Sequence, residues 1–135
     1  MIGIIDCGVG NVGSLRNSLL YLGAEVDIVS LSDDFARFSG LILPGVGSFD
    51  AAISSFSGTP FQENLNMYSS RGMPILGICL GMQILAESSE EGCLKGLNIL
   101  PGKISKLSNL NCHGKIPHIG FNTVYSSCSS STFLS

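Results

Sequence analysis

The residues around Cys79 have the types and spacing of a reactive site. Cys79 lies between Gly77 and Gly81. It follows the apolar run Met73–Leu76 and precedes the helix-like segment Ile84–Glu87. Glycines in a strand–turn–helix arrangement let neighbouring backbone pass close to a residue held in a strained turn, and a helix N-terminus favours thiolate. The pattern predicts a nucleophile elbow built on sulfur; the alternative is a buried structural cysteine that follows a core strand.

A second glycine-containing loop, Pro44–Gly47, follows the apolar run Leu41–Leu43. Ligands of open parallel sheets bind beyond the carboxyl ends of the strands, so we expect this loop and the elbow to share one edge. An amide of the loop and the amide of Leu80 would then both donate to a tetrahedral oxyanion. A cysteine nucleophile with two such donors indicates acyl transfer or amide hydrolysis.

Apolar strands alternate with helical segments along the chain, which is typical of a parallel α/β sheet. Strands are predicted at Ile2–Asp6, Glu25–Val29, Leu41–Leu43 and Met73–Ile78. A helix capped by Asn11 is predicted to about Leu22 with Gly23 as the stop, a short helix capped by Asp33 over Asp33–Phe38, and a third helix from about Pro60 to Ser70. The extended segments Leu97–Leu100, Lys103–Leu107 and Ile116–Tyr125 are predicted to form an antiparallel addition beside the sheet.

Composition limits the class of protein. The 135 residues are 44% hydrophobic and 13% charged, with a net charge of -3, which suits one domain with a substantial core. The absence of a basic patch argues against a nucleic-acid partner. The sequence lacks both an apolar run of about 18 residues and a basic N-terminal region, so we expect neither a membrane span nor a signal peptide. Five cysteines without a C-x-x-C pair favour a reducing, cytoplasmic location.

The segment Gly8–Gly13 matches G-x-G-x-x-G directly after the first predicted strand, and Asp33 follows Gly13 by 20 residues. This spacing is typical of a dinucleotide site, in which the acidic residue binds a ribose. The alternative is that the glycines only permit a tight turn between strand and helix.

Four segments occur together and in this order: Pro44–Gly47, Gly77–Gln83, Ser89–Gly92 and Pro117–Asn122. With the first strand and the turn after it, they resemble the glutamine amidotransferase subunit of imidazole glycerol phosphate synthase. That family belongs to the class I, triad-type glutamine amidotransferases, and the resemblance extends to about Tyr125. The elbow alone indicates class I, and the P-H-x-G segment narrows the resemblance to this subfamily.

The resemblance implies an open, mainly parallel sheet flanked by helices, with a flavodoxin-like core. It implies that Cys79 attacks the side-chain carbonyl of glutamine and releases ammonia, without a cofactor or a metal. It assigns the oxyanion hole to Val46, Gly47 and Leu80, and substrate binding to Gly45, Gln83 and Glu91.

The resemblance also implies a partner. In the family, ammonia passes through a tunnel to a barrel-type cyclase, which forms a heterodimer with the amidotransferase and makes imidazole glycerol phosphate in histidine biosynthesis. The segment that carries His118 and Phe121 is expected to lie at that interface. The family usually has tryptophan where this chain has Phe121.

One part of the family pattern has no counterpart here. The family's catalytic His and Glu belong to an H-P-E-type motif that these 135 residues do not contain. His118 belongs to the P-H-x-G segment, and His113 is expected in a solvated loop, where Cys112 and His113 lack the further ligands that zinc needs. We therefore expect residues 1–135 to be the N-terminal portion of one amidotransferase domain, inactive alone. The alternatives are a paralogous subunit that feeds ammonia to a sugar-modifying enzyme, and a non-catalytic module that binds a dinucleotide or a partner.

Overall fold

A parallel four-stranded sheet forms the centre of the molecule in a computed structural model that describes residues 1–8, 10–109, 116, 119–123 and 125. The strand order is β2-β1-β3-β4, and every neighbouring pair is parallel. The strands are β1 (Ile2–Ile5), β2 (Val26–Val29), β3 (Gly40–Gly45) and β4 (Ile75–Cys79). The predicted mainly parallel α/β fold is confirmed.

Within the described residues, four α-helices connect and flank the strands. They are α1 (Val12–Tyr21), α2 (Phe49–Ser55), α3 (Phe61–Ser70) and α4 (Leu80–Leu85). The Asn11 side chain caps α1 by accepting from the Ser14 N–H at 3.0 Å, as predicted. Helix α2 was not predicted, because it is short and its second half is rich in serine, a weak helix former. Its N-cap is Ser48.

The predicted helix at Asp33–Phe38 is wrong. The Asp33 carboxylate accepts from the Ser30 N–H at 2.8 Å, and the Asp34 carboxylate accepts from the Ala36 N–H at 2.9 Å. Such local bonds from aspartate to backbone compete with helix formation. Phe38 is 1% exposed, and its buried side chain anchors this irregular connection in the core.

The predicted antiparallel addition is replaced in part by a parallel pair. Strands β5 (Ser88–Ser89) and β6 (Lys103–Ile104) are parallel, and a single antiparallel bridge joins Ser88 to Lys95. The segment Leu97–Leu100 forms no strand, because its N–H groups donate to α4. The Leu97 N–H donates to the Ile84 carbonyl at 2.8 Å and the Asn98 N–H to the Ala86 carbonyl at 3.1 Å. The Ile99 and Leu100 N–H groups both donate to the Leu85 carbonyl. The predicted segment Ile116–Tyr125 falls largely outside the described residues.

The core lies on the side of the sheet where α2, α3 and α4 pack. Helix α4 contributes Leu80, Ile84 and Leu85, which are at most 2% exposed, and they belong to one cluster with Leu43 and Phe49. The short helix after the elbow is therefore fixed by buried apolar contacts. No helix in the described part of the chain has the length and apolar character needed to cross a membrane.

Candidate active site

Cys79 has the backbone conformation of an elbow. It is the last residue of β4 and directly precedes α4, with φ 55° and ψ −118°. L-residues rarely adopt positive φ, and such strain clusters at functional sites. The thiol is exposed. The elbow interpretation of the sequence therefore accounts for the geometry, whereas the buried structural cysteine does not.

The two flanking glycines allow α4 to lie directly on the sheet. A Cβ at Gly81 would overlap the carbonyl oxygen of Leu43 in β3. A Cβ at Gly77 would lie 2.6 Å from the Cα of Met82, closer than real Cβ atoms approach. The spacing of glycines around Cys79 thus has a steric cause, since no other residue fits at either position.

The loop after β3 begins beside the nucleophile. The register of the sheet pairs Gly45 with Cys79, and neighbouring strands are about 4.8 Å apart. Val46 and Gly47 follow in an exposed turn, with Gly47 at φ 103°. Leu80 begins α4, where the first N–H groups of a helix have no intrahelical acceptor. The structure thus brings the residues predicted for the oxyanion hole to one edge, and their role stays a prediction.

Gln83 and Glu91 are joined in one hydrogen-bonded group. Gln83 Nε2 donates to Glu91 Oε2 at 3.1 Å. A third residue, Ser89, completes the group: its hydroxyl donates to Gln83 Oε1 at 3.1 Å and accepts from the Glu91 N–H at 3.2 Å. Sequence reasoning singled out Gln83 and Glu91 but missed Ser89. The available signal was a serine two residues before a glutamate, the spacing of a local serine turn.

Asp50 in α2 holds the segment that follows Glu91. Its carboxylate accepts from the N–H groups of Cys93 and Leu94, both at 2.9 Å. The hydrogen bonds from Leu94 and then Cys93 lower the pKa of Asp50 below its ordinary value of 3.8. Because α2 begins just after Gly47, this carboxylate links the two loops of the site. No sequence pattern indicates this contact, since an aspartate on a helix surface is common.

Glu90 anchors the same segment on its other side. Its carboxylate accepts from the Lys106 N–H at 2.7 Å and from Asn109 Nδ2 at 2.8 Å. The bonds from Lys106 and then Asn109 lower the pKa of Glu90 below its ordinary value of 4.5. Glu90 therefore holds the chain next to Glu91 in place, although it is not itself a predicted site residue.

The described cysteines other than Cys79 differ from it in environment. Burial, followed by the neighbouring charge of Asp6, raises the pKa of Cys7 to about 12, so this thiol stays protonated and inert. Cys93 is exposed like Cys79 but lies in an ordinary loop. Within the described ranges, no group of three or more histidine, cysteine, aspartate or glutamate side chains is placed to hold a metal ion.

The glycine turn after β1 has a structural explanation. The Gly8 N–H donates to Asp6 Oδ1 at 2.8 Å, and Gly8 has φ 71°. The Asp33 carboxylate, predicted for a ribose, is engaged with the Ser30 N–H. The tight-turn interpretation accounts for these contacts, and dinucleotide binding stays an untested prediction.

The residues predicted for the partner interface are only partly described. Phe121 is fully exposed, and the neighbouring Ile119 is 87% exposed. His118 and the other histidine, His113, lie outside the described residues.

Comparisons with known proteins bear on the family to which the chain is similar. The family model for glutamine amidotransferase class-I matches residues 3–131. The imidazole glycerol phosphate synthase subunit HisH of Caldanaerobacter subterraneus is 44% identical over 125 residues, which cover 92% of this chain and 60% of that protein. The HisH subunit of Bacillus cereus is 46% identical over 124 residues, covering 90% of this chain and 57% of that protein. The chain therefore spans about three fifths of the length of these relatives.

A solved structure described as a crystal structure of glutamine amidotransferase has a similar fold. Its TM-score is 0.66 at 19% sequence identity, and the match covers 77% of this chain and 55% of that one. At this identity the likeness concerns the fold alone.

Proposed function

This chain belongs to the glutamine amidotransferase class-I family, and on that premise we propose that it forms the glutaminase site of an imidazole glycerol phosphate synthase. The ammonia released would serve a cyclase that makes imidazole glycerol phosphate in histidine biosynthesis. The observation that carries the proposal is the exposed Cys79 at φ 55°, paired in register with the start of the Gly45–Gly47 loop.

The chemistry follows from the positions of these groups. The Cys79 sulfur attacks the side-chain carbonyl carbon of glutamine, and the carbonyl oxygen becomes an oxyanion. Backbone N–H groups of Leu80 and of the Val46–Gly47 turn stabilise that charge. The carbon–nitrogen bond breaks, and the nitrogen takes up a proton and leaves as ammonia. Water then cleaves the thioester, which yields glutamate and the free thiol.

Gln83 and Glu91 hold the amino-acid end of the substrate in this proposal. The Glu91 carboxylate suits the substrate ammonium group, and the Gln83 amide suits its carboxylate. Their mutual hydrogen bond of 3.1 Å supports a shared role on one side of the site.

Proton transfer requires a group beyond those described. A positioned general base contributes about 10²- to 10⁴-fold to rate. In the family that the sequence resembles, the His–Glu pair of an H-P-E-type motif has this role, and residues 1–135 contain no such motif. We therefore propose that these residues alone hydrolyse glutamine at a near-background rate.

Ammonia release from glutamine tests the proposal. We compare residues 1–135 with a fusion that adds the remaining segment of the Caldanaerobacter relative. The fusion should be active, and Cys79→Ser should lower its rate by about 10³-fold or more. Cys93→Ser, which removes the other described exposed thiol, is the matched control and should retain activity. Fusion activity that survives Cys79→Ser would contradict the proposal.

The proposed partner is a barrel-type cyclase, and the support is the full exposure of Phe121, an aromatic side chain that a partner would cover. In the fusion, His118→Ala with Phe121→Ala should weaken complex formation by about tenfold, measured by calorimetric titration with the cyclase. Tyr21→Ala is the matched control: Tyr21 is 91% exposed but ends α1, which packs on β1 and β2, whereas Cys79 ends β4 at the other side of the sheet. Equal affinity of all three proteins would exclude this surface.

A further inference from the structure

Ser89 is buried, unlike the other serines that the structure describes. It is 4% exposed, and among the described residues it is, apart from Tyr68 and Cys7, the one buried residue with a polar or charged side chain. It lies in β5, where its register partner is Ile104 of β6. A buried hydroxyl costs free energy unless it is hydrogen-bonded, so its partners decide what it does.

The hydrogen-bond partners of Ser89 allow only one direction for its hydroxyl hydrogen. A serine hydroxyl has one hydrogen to donate and lone pairs to accept with. The Glu91 N–H, at 3.2 Å, can only donate, so it occupies a lone pair. The hydroxyl hydrogen is then directed to Gln83 Oε1 at 3.1 Å.

The Glu91 carboxylate also requires the Gln83 amide to place Oε1 toward Ser89 and Nε2 toward Glu91. An ionised carboxylate only accepts, so it must face the Nε2 side of the amide, which it does at 3.1 Å. A reversed amide would place Oε1 against the Glu91 oxygen. Ser89 and Glu91 therefore fix the Gln83 amide from both ends and leave the second Nε2 hydrogen for a ligand.

We propose that Ser89 is a positioning residue, which orients Gln83 and Glu91 and thereby sets the affinity for glutamine. The inference rests on the proposed function. Loss of the hydroxyl frees the Gln83 amide to rotate and removes the acceptor of the Glu91 N–H. Both substrate-binding side chains lose their support together, while the elbow that carries Cys79 keeps its own contacts. The effect therefore falls on binding and not on the reactivity of the thiol.

A chloroketone analogue of glutamine, which alkylates Cys79, separates binding from reactivity. In the 135-residue chain, Ser89→Ala should raise the inhibition constant KI by about 3- to 10-fold, the effect of one lost hydrogen bond. The maximal inactivation rate and the rate of labelling by iodoacetamide should stay within about twofold, as expected for a binding effect. Ser88→Ala, at the adjacent β5 position on the opposite face, is the matched control and should leave KI unchanged.

Further variants distinguish a lost orientation of Gln83 and Glu91 from a general loosening of the structure. Ser89→Thr keeps the hydroxyl and should bind the chloroketone analogue more tightly than Ser89→Val, because valine matches threonine in size but has no hydroxyl. This pair of variants replaces Ser89→Ala if that variant does not fold. In a Gln83→Leu background, Ser89→Ala should raise KI by a smaller factor than in the unmodified chain, because only the support of the Glu91 N–H remains to be lost.

Two results would overturn the inference. One is an unchanged KI in Ser89→Ala, and the other is an equal loss of iodoacetamide labelling, which indicates a general structural defect. Failure of the proposed function gives a different result: the unmodified chain would then show no saturable labelling that glutamine competes with.

Discussion

The elbow at Cys79 and the proposed binding segment (residues 88–94), called the binding segment below, have separate tasks in the proposed function, and different forces hold them. The elbow rests on backbone-to-backbone contact at Gly77 and Gly81 and on the buried side chains of α4. The binding segment has only a two-residue strand, and the carboxylates of Asp50 and Glu90 hold it by hydrogen bonds to backbone N–H groups.

This difference separates the two tasks that the proposed function gives to these regions. Steric contact leaves Cys79 no alternative position, and it does not depend on protonation. Hydrogen bonds to exposed carboxylates depend on pH and on single side chains. We expect the elbow to respond to changes in volume and the binding segment to respond to changes in charge.

An added methyl group at Gly81 should break the elbow. Gly81→Ala places a Cβ onto the Leu43 carbonyl oxygen, and overpacking of this kind costs about 3 kcal/mol or more. Chemical denaturation followed by circular dichroism measures the free energy of unfolding.

The matched control for that variant is Gly13→Ala in α1. The nearest atom to a Cβ at Gly13 is Asn11 Oδ1 at 4.0 Å, so the substitution should be neutral or stabilise by about 0.5–1 kcal/mol. Equal stability of the two variants would show that close approach of α4 to the sheet does not hold the elbow.

Acid should loosen the binding segment before the elbow. Folding lowers the pKa of both carboxyls, so their contribution is fully present above their ordinary values, 3.8 for Asp50 and 4.5 for Glu90. It is lost as pH falls through the lower folded values. Hydrogen-exchange protection of the Cys93 and Leu94 amides should therefore drop below about pH 4, while protection within α4 persists.

Asp50→Asn is the control for that titration. It removes the charge from the acceptor, so the Cys93 and Leu94 amides should already be less protected at neutral pH and should depend less on acid. Identical protection in both proteins at every pH would show that Asp50 does not hold the segment.

The sequence predicts the elbow better than its surroundings for a physical reason. Strands β1 to β4 are local apolar runs, and the glycines beside Cys79 reflect a steric demand that permits no substitute. Both features are visible in a short window of sequence. The register that pairs Gly45 with Cys79 then follows from the order of parallel strands.

Hydrogen bonds between residues far apart in the chain cannot be predicted from a short window of sequence. Asp50 contacts a segment 43 residues away, and the N–H groups of Leu97 and its neighbours satisfy the end of α4 instead of a strand. The error at Asp33 has a different origin, since local hydrogen bonds from the Asp33 and Asp34 carboxylates to the backbone replace the predicted helix. Ser89 was missed because its burial depends on β6.

Competition between exposed thiols for one electrophile tests the central claim most directly. The chain is treated with the chloroketone analogue of glutamine, with and without excess glutamine, and peptide mapping locates the label. Cys79 should react first and be protected by glutamine, Cys93 should react slowly and without protection, and Cys7 should not react. Labelling spread evenly over the five cysteines, or labelling of Cys79 that glutamine does not slow, would contradict the account.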